Sequence, residues 1–136
     1  MILLTNKNID VKQVIQSVES PKAGAIDVFI GTVRNQTNNK EVIRLEFEAY
    51  ENMAIKELEK ISERAYQKWP ILKLAITHAI GTLEIGQIPV VIAVSTPHRK
   101  DAFEACQFII DELKKSVPIW KKEIFEDGNI WVSAHP

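Results

Sequence analysis

Segment 98–123, HRKDAFEACQFIIDELKKSVPIWKKE, constrains the fold of this chain more than any other part of its sequence. Apolar residues recur in it at the spacing of an α-helix with one buried face: Ala102, Phe103, Ala105, Cys106, Ile109, Ile110 and Leu113. Pro118 ends that helix, and a strand-like run follows. Basic residues stand at both ends of the segment, with Lys114 and Lys121 on either side of the Pro118 turn. A rigid element with basic groups at both ends predicts a site that holds an anion.

Length and charge limit what such a site can be. The 136 residues are predicted to form a single domain, 1–136, which buries roughly two thirds of its unfolded surface. Apolar residues make up 46% of the chain and charged residues 26%, as in an ordinary globular protein. The net charge of −1 argues against broad nucleic-acid binding, which requires a strongly basic surface. We therefore expect a local pocket, no nucleic-acid partner and no membrane.

The sequence lacks the residues and motifs that several classes of chemistry require. With one cysteine, the chain has no internal disulfide and no multi-cysteine metal site. The apolar start of the chain is too short for a signal peptide, and the longest apolar run, 89–94, is far below the ~20 residues of a membrane span. Nucleotide-binding, zinc-protease and serine-hydrolase motifs are absent from the sequence. We expect a cytoplasmic protein without a cofactor.

Alternation and periodicity predict a mixture of strands and helices. The predicted strands are 2–4, 25–33, 42–50, 72–80, 90–95, 120–126 and 129–132, and the predicted helices are 11–18, 52–69 and the long helix described above. In strand 42–50 we expect Ile43, Leu45 and Phe47 on the buried side. Ser95 or Thr96 is expected to cap the long helix, and Asp127-Gly128 to form the last hairpin turn. Because strands and helices do not strictly alternate, the predicted class is α+β with a largely antiparallel sheet.

Lys114 and Lys121 are candidate catalytic residues. The chain between them can fold back at Pro118, so that both ammonium groups point into one cleft. There, mutual repulsion would lower one pKa and supply a neutral amine as base or nucleophile. The alternative is that both lysines are solvated, as lysines usually are, and that the positive charge of Lys114 stabilises the C-terminus of the helix.

Three further residues are candidates for anion binding. His98 and Arg99 lie at the start of the long helix, where free N–H groups attract anions, and Arg34 begins a polar loop directly after a strand. A solvent-facing basic turn is the alternative for His98 and Arg99. Cys106 falls on the apolar face of the helix, so we expect a core residue with a raised pKa and not a nucleophile.

Five segments of the chain, in this order, give it a family resemblance. They are GTVRN (31–35), EAYENMA (48–54), HAIGTLEIG (78–86), PHRKDAFEACQFIIDELKK (97–115) and PIWKKE (118–123). The chain resembles the large, catalytic subunit of molybdopterin synthase over nearly its whole length. The last two segments are the ones specific to this family, whereas GTVRN alone would be weak evidence for it.

The resemblance implies an α/β hammerhead-type fold with an added α+β subdomain, and a homodimer. It implies conversion of cyclic pyranopterin monophosphate to molybdopterin, with sulfur from the C-terminal Gly-Gly thiocarboxylate of a small ubiquitin-like partner. Lys114 and Lys121 match the family's active-site lysines, and Arg34, His98 and Arg99 match its anion-pocket residues. His135 stands where many members carry an arginine that reaches the neighbouring subunit.

Two other functions compete with this reading of the residues. One is a non-catalytic module with an anion pocket that docks a β-grasp partner, and the other is a phosphate-binding regulatory domain. Convergence of Lys114 and Lys121 on one point favours catalysis, because a docking surface does not require two amines there.

Overall fold

The computed structural model describes the backbone of residues 1–133 and the side chains of residues 1–128. The elements within this part of the chain are β1 Ile2–Thr5, α1 Val11–Ser17, β2 Ala25–Gly31, β3 Gln36–Thr37, β4 Lys40–Ala49, α2 Glu51–Lys68, β5 Lys73–Ala79, β6 Gly81–Glu84, β7 Val90–Thr96, α3 Arg99–Ser116, β8 Ile119–Phe125 and β9 Gly128–Ser133.

The strands form two sheets. The first has the order β1-β5-β7-β2, in which β1 and β5 are parallel and the other pairs antiparallel. The second has the order β3-β4-β8-β9, with β6 also paired to β4, and its pairs are antiparallel. The predicted α+β class with largely antiparallel pairing is therefore confirmed.

Helices cover the first sheet on both faces. α3 packs against β2 and β7 and against α2, which also contacts β1, whereas α1 contacts β5 and β7. The helix predicted over 52–69 forms as α2 and buries an apolar stripe: Ala54, Leu58, Ile61 and Ala65. Residues of the second sheet, including Leu45 and Phe47, share the main core with these helices. Among the described residues, no helix combines the length and apolar character that crossing a bilayer requires.

The predicted cap of the long helix is wrong. Ser95 and Thr96 remain in β7, where they pair with Ile26 and Ala25 of β2, so the extended chain continues past both candidates. The N-cap is His98, which makes no side-chain capping hydrogen bond. Thr96 Oγ1 instead donates to the His98 carbonyl at 2.6 Å and holds the turn into α3.

Ile43 does not lie on the buried side of β4 as predicted. Val42 pairs with Phe125 and Arg44 pairs with Ile124, so Ile43 is the extra residue of a β-bulge. The bulge reverses the alternation, which buries Val42 and leaves Ile43 39% exposed.

Two short strands lie within segments predicted as loops. The polar segment after β2 contains β3, which returns to β4 through Asn38 and Asn39, both at positive φ. The connection after β5 contains β6. The last hairpin forms as predicted, but Phe125 pairs with Gly128, so its turn residues are Glu126 and Asp127.

Candidate active site

A cleft lies where the two sheets meet beside the C-terminal part of α3. Its cavity volume is about 130 Å³. Its apolar walls include Phe29, Leu45, Phe47, Val90, Ile110 and Leu113. Its polar side chains are Thr32, His78, Lys114 and Lys121. A small apolar cleft with a few convergent polar groups is the usual form of a ligand site.

The turn after α3 brings the two candidate lysines together. Ile110, Leu113 and Lys114 share one helical face because they are three and four residues apart. Val117 N–H then donates to the Leu113 carbonyl and ends the helix. The chain reverses at once into β8, so Lys121 reaches the cleft that Lys114 lines.

Pairing with β4 sets the direction of the Lys121 side chain. Lys121 lies opposite Phe47, which also lines the cleft, and Glu123 lies opposite Leu45. Side chains two residues apart on a strand share a face, so Glu123 is on the same side of β8 as Lys121. Glu123 is 7% exposed, which places a carboxylate inside the protein close to the lysine.

The pKa of Lys121 lies below its ordinary value of 10.5. The main cause is burial, which removes water from around the ammonium group. The Glu123 carboxylate partly offsets this effect, whereas the positive charges of Lys114 and Arg34 lower the pKa further. The neutral amine is therefore easier to form at Lys121 than at an exposed lysine.

Arg34 belongs to the same electrostatic group although it is exposed and lies outside the cleft lining. Backbone hydrogen bonds fix the chain on both sides of it. Val33 exchanges hydrogen bonds with the 86–87 turn, and the Asn35 carbonyl accepts from Val42 N–H. Arg34 is therefore held at the rim, close enough for its charge to act on Lys121.

His98 and Arg99 are not brought to this cleft within one chain. Arg99 begins α3 and Lys114 lies in its last turn, a separation of about 22 Å at 1.5 Å per residue. Both His98 and Arg99 are exposed. His135 lies outside the described residues.

Cys106 is a core residue, as predicted. It is 3% exposed on α3. Burial, and secondarily the nearby Asp27 carboxylate, raises the pKa of the Cys106 thiol to about 12. A thiol with so high a pKa carries almost no thiolate at neutral pH.

His78 is a residue of the cleft that the sequence patterns did not single out. It is 3% exposed, and its ring lies edge-on to Phe47 with centroids 5.4 Å apart. A signal was present: His78 follows Leu74 and Ile76 in the alternation of β5, so it had to face the same core. Local sequence does not show that this core opens into a cleft at that point.

The fold and the cleft define a class of protein: a small α+β protein with paired lysines in a largely apolar cleft. The family model for the MoaE protein matches residues 4–116. The chain belongs to the MoaE family.

Relatives and solved structures agree with this assignment. The molybdopterin synthase catalytic subunit of Bacillus subtilis is 52% identical over 129 residues, which are 95% of this chain and 82% of that protein. The corresponding subunit of Halalkalibacterium halodurans is 52% identical over 124 residues, 91% of this chain and 80% of that one. The crystal structure of molybdopterin synthase from Staphylococcus aureus superposes with a TM-score of 0.92 at 43% identity, covering 95% of this chain and 94% of that one. The resemblance found in the sequence and the predicted fold are confirmed.

Proposed function

We propose that this chain is the catalytic subunit of a molybdopterin synthase, which converts cyclic pyranopterin monophosphate to molybdopterin. A small ubiquitin-like partner supplies the sulfur from its C-terminal thiocarboxylate. The observation that carries the proposal is the convergence of Lys114 and Lys121 on one apolar cleft. It is supported by 52% identity over 95% of the chain to a relative that bears this name.

The proposed chemistry follows from the nature of the sulfur donor. A thiocarboxylate sulfur that attacks a pterin carbon remains bonded to its acyl group, so the first product is a thioester between partner and pterin. Water must then attack the acyl carbon, which releases the partner as a carboxylate and leaves the sulfur on the pterin. Positive groups beside that carbon stabilise the oxyanion that forms during the attack. Lys114 and Lys121 are the proposed source of that charge.

An external sulfur source agrees with the state of Cys106. Its raised pKa and its burial make it a poor sulfur carrier. A partner whose flexible C-terminal tail enters the cleft removes the need for a cysteine there.

The substrate's phosphate requires further positive groups, and we propose that a second copy of the chain supplies them. Arg99 is about 22 Å along α3 from Lys114 of its own chain, so His98 and Arg99 serve the cleft only across a homodimer. Exposed apolar side chains on β2 and on the first half of α3 offer a surface for the second copy: Ile26 is 39% exposed, Ile30 42% and Phe103 58%. Arginine binds phosphate through paired hydrogen bonds, which makes Arg99 and Arg34 the proposed phosphate ligands. We place the reaction in the cytoplasm.

The proposal is tested by reconstitution with a thiocarboxylated ubiquitin-like partner and the cyclic pterin, with dithiolene product as the readout. Lys114→Ala is expected to lose at least about a hundred-fold in rate, since the loss of one preorganised charge costs roughly that much. Alanine is tolerated at a helix end, so the variant should fold and bind the partner.

Lys115→Ala is the matched control, because Lys115 is the next residue of α3 but is exposed and paired with Glu112. It should retain wild-type activity. A folded Lys114→Ala variant with most of its activity would contradict the catalytic role of Lys114. A wild-type protein that binds partner and pterin without forming product would instead identify a docking module.

A further inference from the structure

Strand β2 ends at the cleft, and the residue after it lines the cleft as well. β2 is the last strand of its sheet, so among the described strands it pairs only with β7. Its last residue, Gly31, pairs with Val90, and both line the cleft. A Cβ atom on Gly31 would lie 2.8 Å from Val90 Cγ1, so the backbone itself forms the wall at this point. Thr32 comes next and continues that wall.

The backbone of Thr32 is held on both sides but makes no hydrogen bond of its own. Gly31, before it, belongs to the ladder between β2 and β7. After it, Val33 N–H donates to the Gln87 carbonyl and the Val33 carbonyl accepts from Gly86 N–H, both at 2.9 Å. Within the described part of the chain, no residue hydrogen-bonds to the N–H or the carbonyl of Thr32, and Thr32 is exposed. One donor and one acceptor are therefore fixed beside the cleft and available to a ligand.

The sulfur donor of the proposed function requires backbone partners of this kind. A tail that ends in Gly-Gly has no side chains at its end, so it is bound through its peptide N–H and C=O groups. Peptide groups that enter an apolar cleft without hydrogen-bond partners lose the hydrogen bonds they made with water, which is costly. Lys114 and Lys121 can only donate, so the N–H groups of the tail need another partner.

We propose that Thr32 anchors the tail of the sulfur-carrier partner as one hydrogen-bonded pair of an antiparallel β-ladder. Thr32 N–H donates to the carbonyl of a tail residue, and the Thr32 carbonyl accepts from the N–H of that same residue. The tail thus adds to the open edge of β2. Its thiocarboxylate end then continues toward Lys114 and Lys121, which line the same cleft. The inference rests on the proposed function and identifies the residue that positions the tail.

Two substitutions of Thr32 separate its backbone from its side chain. Thr32→Pro removes the N–H donor. It breaks no hydrogen bond within the described residues, and Gly31 is already in a strand, the conformation that a following proline favours, so the variant should fold. Thr32→Val keeps the N–H, the carbonyl and the branched shape of the side chain, which makes it the matched control.

The test is calorimetric titration of each variant with the ubiquitin-like partner in its carboxylate form. The partner is used at full length and without its last four residues, which span roughly 13 Å when extended. Thr32→Pro should bind the full-length partner about ten-fold more weakly than the wild type does, because a tail carbonyl is left unpaired in the cleft. Its affinity for the truncated partner should equal that of the wild type. Thr32→Val should bind both partners as the wild type does.

Three outcomes of the titration would overturn the inference. In the first, Thr32→Pro binds the full-length partner as tightly as the wild type does. In the second, it loses the same factor with the truncated partner, which would show that the tail does not contact Thr32. In the third, Thr32→Val loses as much as Thr32→Pro, which would assign the contact to the side chain.

Amide hydrogen exchange of the wild-type protein tests the inference without any substitution. Thr32 N–H should exchange rapidly in the free protein and at least about ten-fold more slowly in the complex with the full-length partner, because exchange requires the hydrogen bond to open. The truncated partner should leave it rapid. Asn6 N–H is the control, since it is also exposed and bonds to no described residue, and it should exchange rapidly throughout. A Thr32 amide that is slow in the free protein, or that stays rapid in the complex, would contradict the assignment.

Turnover separates this inference from the proposed function. In the reconstituted reaction, Thr32→Pro should raise KM for the partner about ten-fold with little change in kcat, whereas Lys114→Ala lowers kcat. A loss confined to kcat in Thr32→Pro would overturn the inference and leave the proposed function standing. A wild-type protein that forms no product contradicts the proposed function, while titration and exchange still decide whether Thr32 holds the tail.

Discussion

Five neighbours, on β4, α3, β8 and the loop after β2, determine the chemical character of Lys121. Burial against Phe47 and Leu45 disfavours its charge, Lys114 and Arg34 add repulsion, and Glu123 supplies partial compensation. The pKa of Lys121 is therefore the balance of several opposing effects, and each of them can be removed separately.

We expect Lys114→Gln to raise the pKa of Lys121, because a neighbouring positive charge is lost. Glu123→Gln should lower it further, because the compensating carboxylate is lost. NMR titration of the lysine Nζ or Cε resonances measures both changes. Lys115→Gln removes a charge from the same helix turn, and the pKa of Lys121 should stay where it is in the wild type. Shifts of the same sign in both variants would contradict this account of the electrostatics.

Contacts between α2 and α3 hold the helix that carries Lys114. Arg64 Nη2 donates to Glu112 Oε1 at 2.7 Å, and the Arg64 guanidinium lies over the Phe108 ring at 5.1 Å. Trp69, at the end of α2, packs edge-on against Phe108 with centroids 5.3 Å apart. These contacts lie on the side of α3 away from the cleft and fix the helix against rotation.

The Arg64–Glu112 pair gives the stability of this helix contact a defined pH dependence. The hydrogen bond from Arg64, with a smaller contribution from Lys115, lowers the pKa of Glu112 below 4.5. The folded state thus holds the ionised carboxyl more strongly than the unfolded state does. The stabilisation is present above the unfolded pKa of 4.5 and is lost as pH falls through the lower folded value.

Glu112→Gln should reduce the free energy of unfolding by about 0.5 kcal/mol at pH 7, a small value because Arg64 is half exposed and solvent screens the pair. Near pH 3 the difference between variant and wild type should shrink. Urea unfolding at the two pH values provides the measurement. Glu57→Gln breaks the Lys60–Glu57 pair within α2 and is the control for a pair that joins no helices. A loss for Glu112→Gln that does not depend on pH would refute the assigned cause.

At the scale of the whole molecule, the proposed site requires residues from two copies of the chain. α3 runs from Arg99 to Ser116, so its two basic ends lie on opposite sides of the protein. The lysine end meets the junction of the two sheets, whereas the His98 end is exposed. Under the proposed function, symmetry joins the start of α3 in one copy to the cleft of the other.

A complementation experiment tests this arrangement. Arg99→Ala and Lys114→Ala homodimers should each be nearly inactive. Random exchange of their subunits makes half of the dimers mixed, and in a mixed dimer both substitutions fall in the same one of the two sites. The other site of each mixed dimer is intact, so activity should recover to about one quarter of wild type. Mixing Lys114→Ala with Lys121→Ala is the control, because no random mixture of these two restores a site. Activity that stays at the level of the separate variants would mean that both residues act within one chain.

Local patterns in the sequence determined most of the elements. The apolar stripe of α2 and most of the predicted strand 25–33, observed over 25–31, follow from periodicity, which acts over a few residues. The start of α1 follows from capping chemistry, because the Asp10 side chain accepts a hydrogen bond from Gln13 N–H. The burial of Cys106 followed from periodicity as well. The sequence also predicted that Lys114 and Lys121 lie close together, because only a short turn at Pro118 separates their elements.

Tertiary structure alone determined the features that the local patterns did not predict. The exposure of Ile43 depends on a bulge whose register is set by β8, more than seventy residues further along the chain. The N-cap of α3 is His98, and not Ser95 or Thr96 as predicted, because pairing with β2 keeps Thr96 extended. The cleft itself, with His78 in its wall and Glu123 beside Lys121, arises where two sheets meet. The sequence determined these residue types, but their contacts result from strand pairings between distant segments, which no local pattern encodes.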